Sequence, residues 1–160
     1  MRLTTFSDYT LRVLMYVPVD RDRLATIPRI AAAYGVSRNH LMKVVQHLAQ
    51  SGVVETVRGK GGGLRLARDP ADIRIGAIVR DAEGAAPIVE CLSAGASDCP
   101  IAPVCRLAGV LVEGFDALYE RLDRYTLADL VGHRRALASV LVAAPAPRSR
   151  RASAARGAGR

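Results

Sequence analysis

The chain has 160 residues, half of them apolar, which suits one compact domain with an appended element and excludes two large domains. The net charge of +8 is uneven: residues 1–70 carry 11 Lys and Arg against 5 Asp and Glu, residues 71–142 carry 7 against 10, and the last 18 residues add five arginines and no acid. A basic front half predicts polyanion binding there, while three cysteines with no secretory signal and no membrane span point to thiols in a reducing cytoplasm.

In chain order, residues 4–17 place Phe6, Val13 and Val17 at near-helical spacing with Leu11 and Leu14 between them, and Pro18 stops the helix. Pro28 opens a second, short helix that Gly35 ends. Ser37 is suited to cap a third, in which Leu41, Val44, Val45 and Leu48 follow the helical period before Gly52. The period then changes to two. Val53–Val57 and Leu64–Ala67 flank Arg58-Gly59-Lys60-Gly61-Gly62-Gly63, which predicts a β-hairpin with a glycine-rich basic tip. Ile73–Glu83 predicts another helix, and Ala85–Val104 a loop with all three cysteines in it or at its edges. From Cys105 onward, Leu107, Val110, Leu111, Gly114, Phe115, Leu118 and Leu122 form a long apolar stripe that needs a partner. Leu127–Val142 continues as helix, and Ala143–Arg160 has a disordered composition.

The fold class expected is mainly α with a small β-hairpin wing: a winged helix-turn-helix plus a long dimerisation helix. Residues 1–83 would form the DNA-binding domain, 84–105 the cysteine loop, 105–142 the dimerisation helices and 143–160 a disordered basic tail. Short helix, Gly35-Val36-Ser37 turn and longer helix form the helix-turn-helix. With the apolar residues turned inward, the third helix presents Arg38, Asn39, His40, Lys43, Gln46 and His47 outward. Ser37, Arg38, Asn39 and His40 stand at its N-terminal end, from which recognition helices reach base edges, while Lys43 suits a phosphate. Arg58 and Lys60 at the hairpin tip suit a minor groove. A plain solvated helix face is the competing reading. The tip is not a nucleotide-binding loop, because Lys60 is followed by Gly61 rather than Ser or Thr. Three histidines, at 40, 47 and 133, and no hydrolase or metalloprotease motif argue against an enzyme.

Cys91, Cys99 and Cys105 are separated by seven and five residues, unlike the paired Cys-x-x-Cys of common zinc fingers. Iron-sulfur clusters are held mainly by thiolates and accept a different ligand at one iron. Structural zinc, a metal-free thiol redox sensor and unrelated thiols remain the alternatives. A cluster would need a fourth ligand, with Asp8, Glu90, Asp98, His40 and His133 as candidates.

The stretch Met1-Arg2-Leu3-Thr4-Thr5-Phe6-Ser7-Asp8-Tyr9-Thr10-Leu11-Arg12, the Arg58–Leu64 wing and a three-cysteine loop before a long helix together resemble the Rrf-type winged-helix iron-sulfur regulators, over residues 1 to about 140. Within that family the chain is most similar to the nitric-oxide-sensing repressors. Ala108 stands where the cluster-homeostasis branch supplies a histidine, which makes that branch the alternative. The resemblance implies a homodimer crossed through its long helices, double-stranded operator DNA as partner, and a 4Fe-4S cluster (2Fe-2S as the alternative) whose damage by nitric oxide or redox stress releases the DNA. Asp8 falls on the family's amino-terminal motif, which makes it, from the partner chain, the expected fourth ligand.

Overall fold

A computed structural model describes residues 3–19, 23–84, 89–92 and 98–142. The basic tail at 143–160 and the middle of the cysteine loop lie outside these described residues. Helix α1 (Thr5–Tyr16) starts at Thr4, whose hydroxyl accepts the Ser7 N–H at 3.1 Å. Helix α2 (Ile27–Tyr34) has Thr26 as its cap and Pro28 in its first turn, and Gly35 ends it at φ 66°, where a side chain would be strained. The turn is closed by the Val36 N–H on the Ala31 carbonyl at 3.1 Å. Helix α3 (Arg38–Gln50) follows, with Ser37 in the cap position but making no side-chain capping bond.

Strands β1 (Val54–Val57) and β2 (Gly63–Leu66) pair antiparallel, Val54 opposite Leu66 and Val57 opposite Gly63. Ala25 adds one bridge on the far side of β2, exchanging backbone bonds with Leu64 at 3.2 and 2.7 Å. This ties the wing to the segment leading into α2. Helix α4 (Ile75–Glu83) starts two residues later than the periodicity predicts. Asp69 caps a single tight turn at Pro70–Asp72, and Ile73 is extended. Helix α5 (Leu107–Asp123) carries the apolar stripe, and none of its residues is buried.

The expected helix over 127–142 is two helices, α6 (Leu127–Val131) and α7 (Arg134–Leu141). A capping box between Thr126 and Asp129 starts the first, and the chain leaves helical geometry at His133, beside the poor helix former Gly132.

Val13 and Leu14 of α1, Ile30 of α2, Leu41, Val44 and Leu48 of α3, Leu64 of β2 and Val79 of α4 share one core. Leu127 of α6 and Leu141 of α7 join it, so the chain returns to this same core after α5. The architecture is therefore mainly helical with a two-stranded wing, as expected from the sequence. Among the described residues no helix is long and apolar enough to cross a membrane.

Candidate nucleic-acid interface and cysteine loop

Burial of Leu41, Val44, Val45 and Leu48 orients α3, because these four side chains occupy one stripe and anchor the helix on α1 and α2. The opposite face leaves Arg38, Asn39, His40, Lys43 and Gln46 exposed, and Ser37 is exposed at the entry to the helix. His40 leans toward α1, its ring centroid 6.0 Å from that of Tyr9.

His47 departs from the expected outward set. It is half-buried, edge-on to Phe6 at 5.3 Å, and its Nε2 lies 2.7 Å from the Asp81 carboxylate of α4. Ser51 donates its hydroxyl to the same carboxylate at 3.0 Å. The helical period puts residue 47 on the border of the two faces, and a long-range carboxylate decides its side. Helix α4 thus grips the C-terminal end of α3, while its own last turn grips α1: Glu83 accepts the Thr4 N–H at 2.8 Å.

At the wing, Arg58 and Lys60 are exposed, and among the described residues neither has an ion-pair partner. Arg65 is instead paired across the strands with Glu55. The glycines of the tip serve the hairpin first. Gly59 and Gly61 have φ of 102° and 85°, and a Cβ on Gly63 would overlap the Ala25 carbonyl oxygen and the Leu24 side chain. The wing tip therefore owes its shape to glycine, and its charge to the two basic residues between.

On α1, Asp8 accepts from Arg12 twice, at 2.9 Å to each carboxylate oxygen. Hydrogen bonding to Asp8, ahead of all other causes, raises the Arg12 pKa. The guanidinium also lies 5.6 Å from the ring centre of Tyr34, the last residue of α2, and burial pushes that phenol's pKa up. Asp8 is half-exposed and faces this pair within its own chain.

The cysteines follow α4. Cys91 sits in a tight turn at Glu90–Leu92, and Cys99 and Cys105 bracket another at Ala102–Val104, where the Cys99 carbonyl accepts from Ala102 at 3.0 Å. All three are half-buried thiols rather than disulfides, and none belongs to the hydrophobic core. Among the described residues no three His, Cys, Asp or Glu side chains are gathered as a metal site. His40, Glu90, Asp98 and His133, the other candidate ligands, are exposed.

Two features of the site escape sequence reasoning: the Asp81 bridge, which joins residues 30 or more apart, and Met42, an exposed apolar residue on the α3 face. Met42 follows Arg38 by four positions, a spacing that could have marked it.

The profile of the Rrf2 family, described as iron-dependent transcriptional regulator, matches residues 3–133. The chain is similar to the HTH-type transcriptional regulator NsrR of Bacillus subtilis (strain 168), with 48% identity over 142 residues, spanning 88% of this chain and 97% of that one. It is similar also to NsrR of Geobacillus kaustophilus, at 45% identity over the same length and the same shares of both chains. Among solved structures it resembles CymR (YrzC), the global cysteine regulator of B. subtilis, with a TM-score of 0.64 and 27% identity over 83% of this chain and 98% of that chain. T. potens IscR gives 0.65 and 27% over 83% and 88%.

Proposed function

Given that the chain belongs to the Rrf2 family of iron-dependent transcriptional regulators, we propose that it is a cytoplasmic homodimeric repressor that holds an iron-sulfur cluster and leaves its operator when nitric oxide or redox stress acts on it. The observation that carries this reading is the placement of three half-buried thiols, outside the core, on the loop that joins α4 to the exposed α5. Soft thiolate donors suit an iron-sulfur cluster. The resemblance of the sequence to the nitric-oxide-sensing repressors of the family supports nitric oxide as the signal.

Cys91, Cys99 and Cys105 are the ligands in this reading. Asp8 of the partner subunit is the fourth, a harder oxygen donor whose present partner is Arg12. When bound, the cluster, 4Fe-4S in the first instance, supplies the iron with which nitric oxide reacts. The chain's own residues carry the rest. Residues 84–105 hold the loop, α5 within 105–142 meets its copy, and residues 1–83 bind DNA. Helix α5 supports the dimer: Leu107 and Val110 are 62% and 61% exposed, and open space lies over Gly109 and Gly114. The contacts to DNA are assigned to Ser37, Arg38, Asn39, His40 and Lys43 in the major groove and to Arg58 and Lys60 in the minor groove. A change in loop order reaches α3 through α4, which ends where the loop begins and holds His47 and Ser51 by Asp81.

Anaerobic purification tests the proposal. Protein carrying iron and acid-labile sulfide, a visible absorption lost in Cys91→Ser, Cys99→Ser and Cys105→Ser, and operator binding abolished by nitric oxide would support it. A colourless protein, with zinc or no metal, would overturn it in favour of a thiol switch. Asp8→Ala is expected to shift the absorption spectrum or the rate of reaction with nitric oxide, and no change in either removes Asp8 from the ligand set.

A further inference from the structure

The exposed face of α3 is polar except at one position. Met42 is 51% exposed and stands outside the hydrophobic core. At four-residue spacing it lies in a row between Arg38 and Gln46, and beside the row of Asn39 and Lys43. Its flank borders a shallow hollow of about 450 Å³ that Ile27, Val45, Ala49 and Thr56 help to line, at the junction of α2, α3 and β1. About half of the Met42 side chain is left in water beside four hydrogen-bonding side chains, where the fold does not cover it.

The charge around it identifies its partner. Arg38 and Lys43 on the same helix and the basic wing make this the DNA-facing side. In a major groove read by hydrogen bonds, the one apolar feature of the base edges is the C5-methyl group of thymine. Arg, Asn and Gln end in hydrogen-bonding groups, whereas methionine ends in an apolar, polarisable thioether on an unbranched chain that can adapt its shape to a methyl. An A·T-rich operator, of the kind that narrows the minor groove for Arg58, presents many such methyls.

We propose that Met42 is a specificity-determining residue that reads a thymine methyl in each operator half-site. This rests on α3 being the reading helix, as argued above. Burying one methyl group is worth about 0.8 kcal/mol, which corresponds to about a fourfold change in affinity.

The experiment uses the full-length protein and an operator obtained from it by selection among random duplexes. Each thymine of the selected half-site is replaced in turn by deoxyuridine, which removes the methyl and leaves every hydrogen-bonding group in place. For the wild type, one symmetric thymine should lose about fourfold in affinity on replacement. Met42→Ala, which changes both half-sites of the dimer, should bind the thymine duplex about sixteenfold more weakly and be indifferent to deoxyuridine at that position. Met42→Leu should keep the response, and Met42→Gln, of similar length but polar, should lose it. Wild-type affinity that no deoxyuridine changes, or a Met42→Ala variant that responds as the wild type does, overturns the assignment. Asn39→Ala and Lys43→Ala separate the two levels: if these also leave affinity unchanged, it is the reading by α3 itself that fails.

Discussion

Gly63 shows how a single absent side chain holds the wing in place. Leu64 exchanges two backbone hydrogen bonds with Ala25, and this bridge brings Leu24 and the Ala25 carbonyl onto the α-carbon of Gly63. Alanine there must push the segment before α2 away from β2, at about 1–3 kcal/mol by analogy with overpacked cores. Gly61→Ala is the control: its φ of 85° imposes strain of about 1–2 kcal/mol, but nothing lies within 4 Å of the added methyl. Urea denaturation should find both variants destabilised. DNA affinity should separate them, since only Gly63→Ala frees the wing from the helix-turn-helix.

Elements in this protein are joined by a few polar contacts at their ends. Helix α4 holds α1 through Glu83, α3 through Asp81 and α5 through the pairing of Arg80 with Asp123, and Gly76 permits its close approach to Tyr119 and Asp123. Helix α6 depends on its capping box. Asp129 accepts the Thr126 backbone N–H at 2.7 Å and its hydroxyl at 2.8 Å, and the backbone bond is the chief cause that lowers the carboxyl pKa below its ordinary 3.8. A depressed folded-state pKa stabilises the folded chain above the unfolded value, and the contribution is lost as pH falls through the folded one. Asp129→Asn should therefore melt below wild type at pH 6, and the gap in Tm should narrow as pH drops below 3.8. A gap that stayed constant with pH would mean that Asp129 acts without its charge.

At the scale of the whole molecule, α5 carries apolar side chains that the described residues leave uncovered. The C-terminal part of this helix packs through Tyr119 and Leu122 on the core, while its N-terminal part carries Leu107 and Val110 into solvent beside Val104, which is 79% exposed. A second copy of the helix is the occupant proposed above. Val110→Asp alters a side chain that the single chain does not bury, so folding of the monomer should be intact. Sedimentation should then find a monomer, and operator affinity should fall steeply because two half-sites are no longer bound together. A Val110→Asp protein that still sediments as a dimer would move the interface elsewhere.

Local chemistry accounts for most of what the sequence by itself determined. The 3.6 and 2.0 periods, Pro18 and Pro28, and the glycines at 35 and 52 mark α1, α2, α3 and the hairpin, because each acts within one turn of chain. The same reasoning put Arg38, Asn39 and Lys43 on an exposed face and Arg58 and Lys60 on the wing tip. What only the tertiary structure decided depends on partners distant in sequence. His47 turns inward to an aspartate 34 residues away, the Arg12 guanidinium lies against the ring of Tyr34 in the next helix, and Leu127 and Leu141 return to a core built from residues 13 to 79. Periodicity is blind to such pairings, since it records which face of a helix is apolar and not what meets that face.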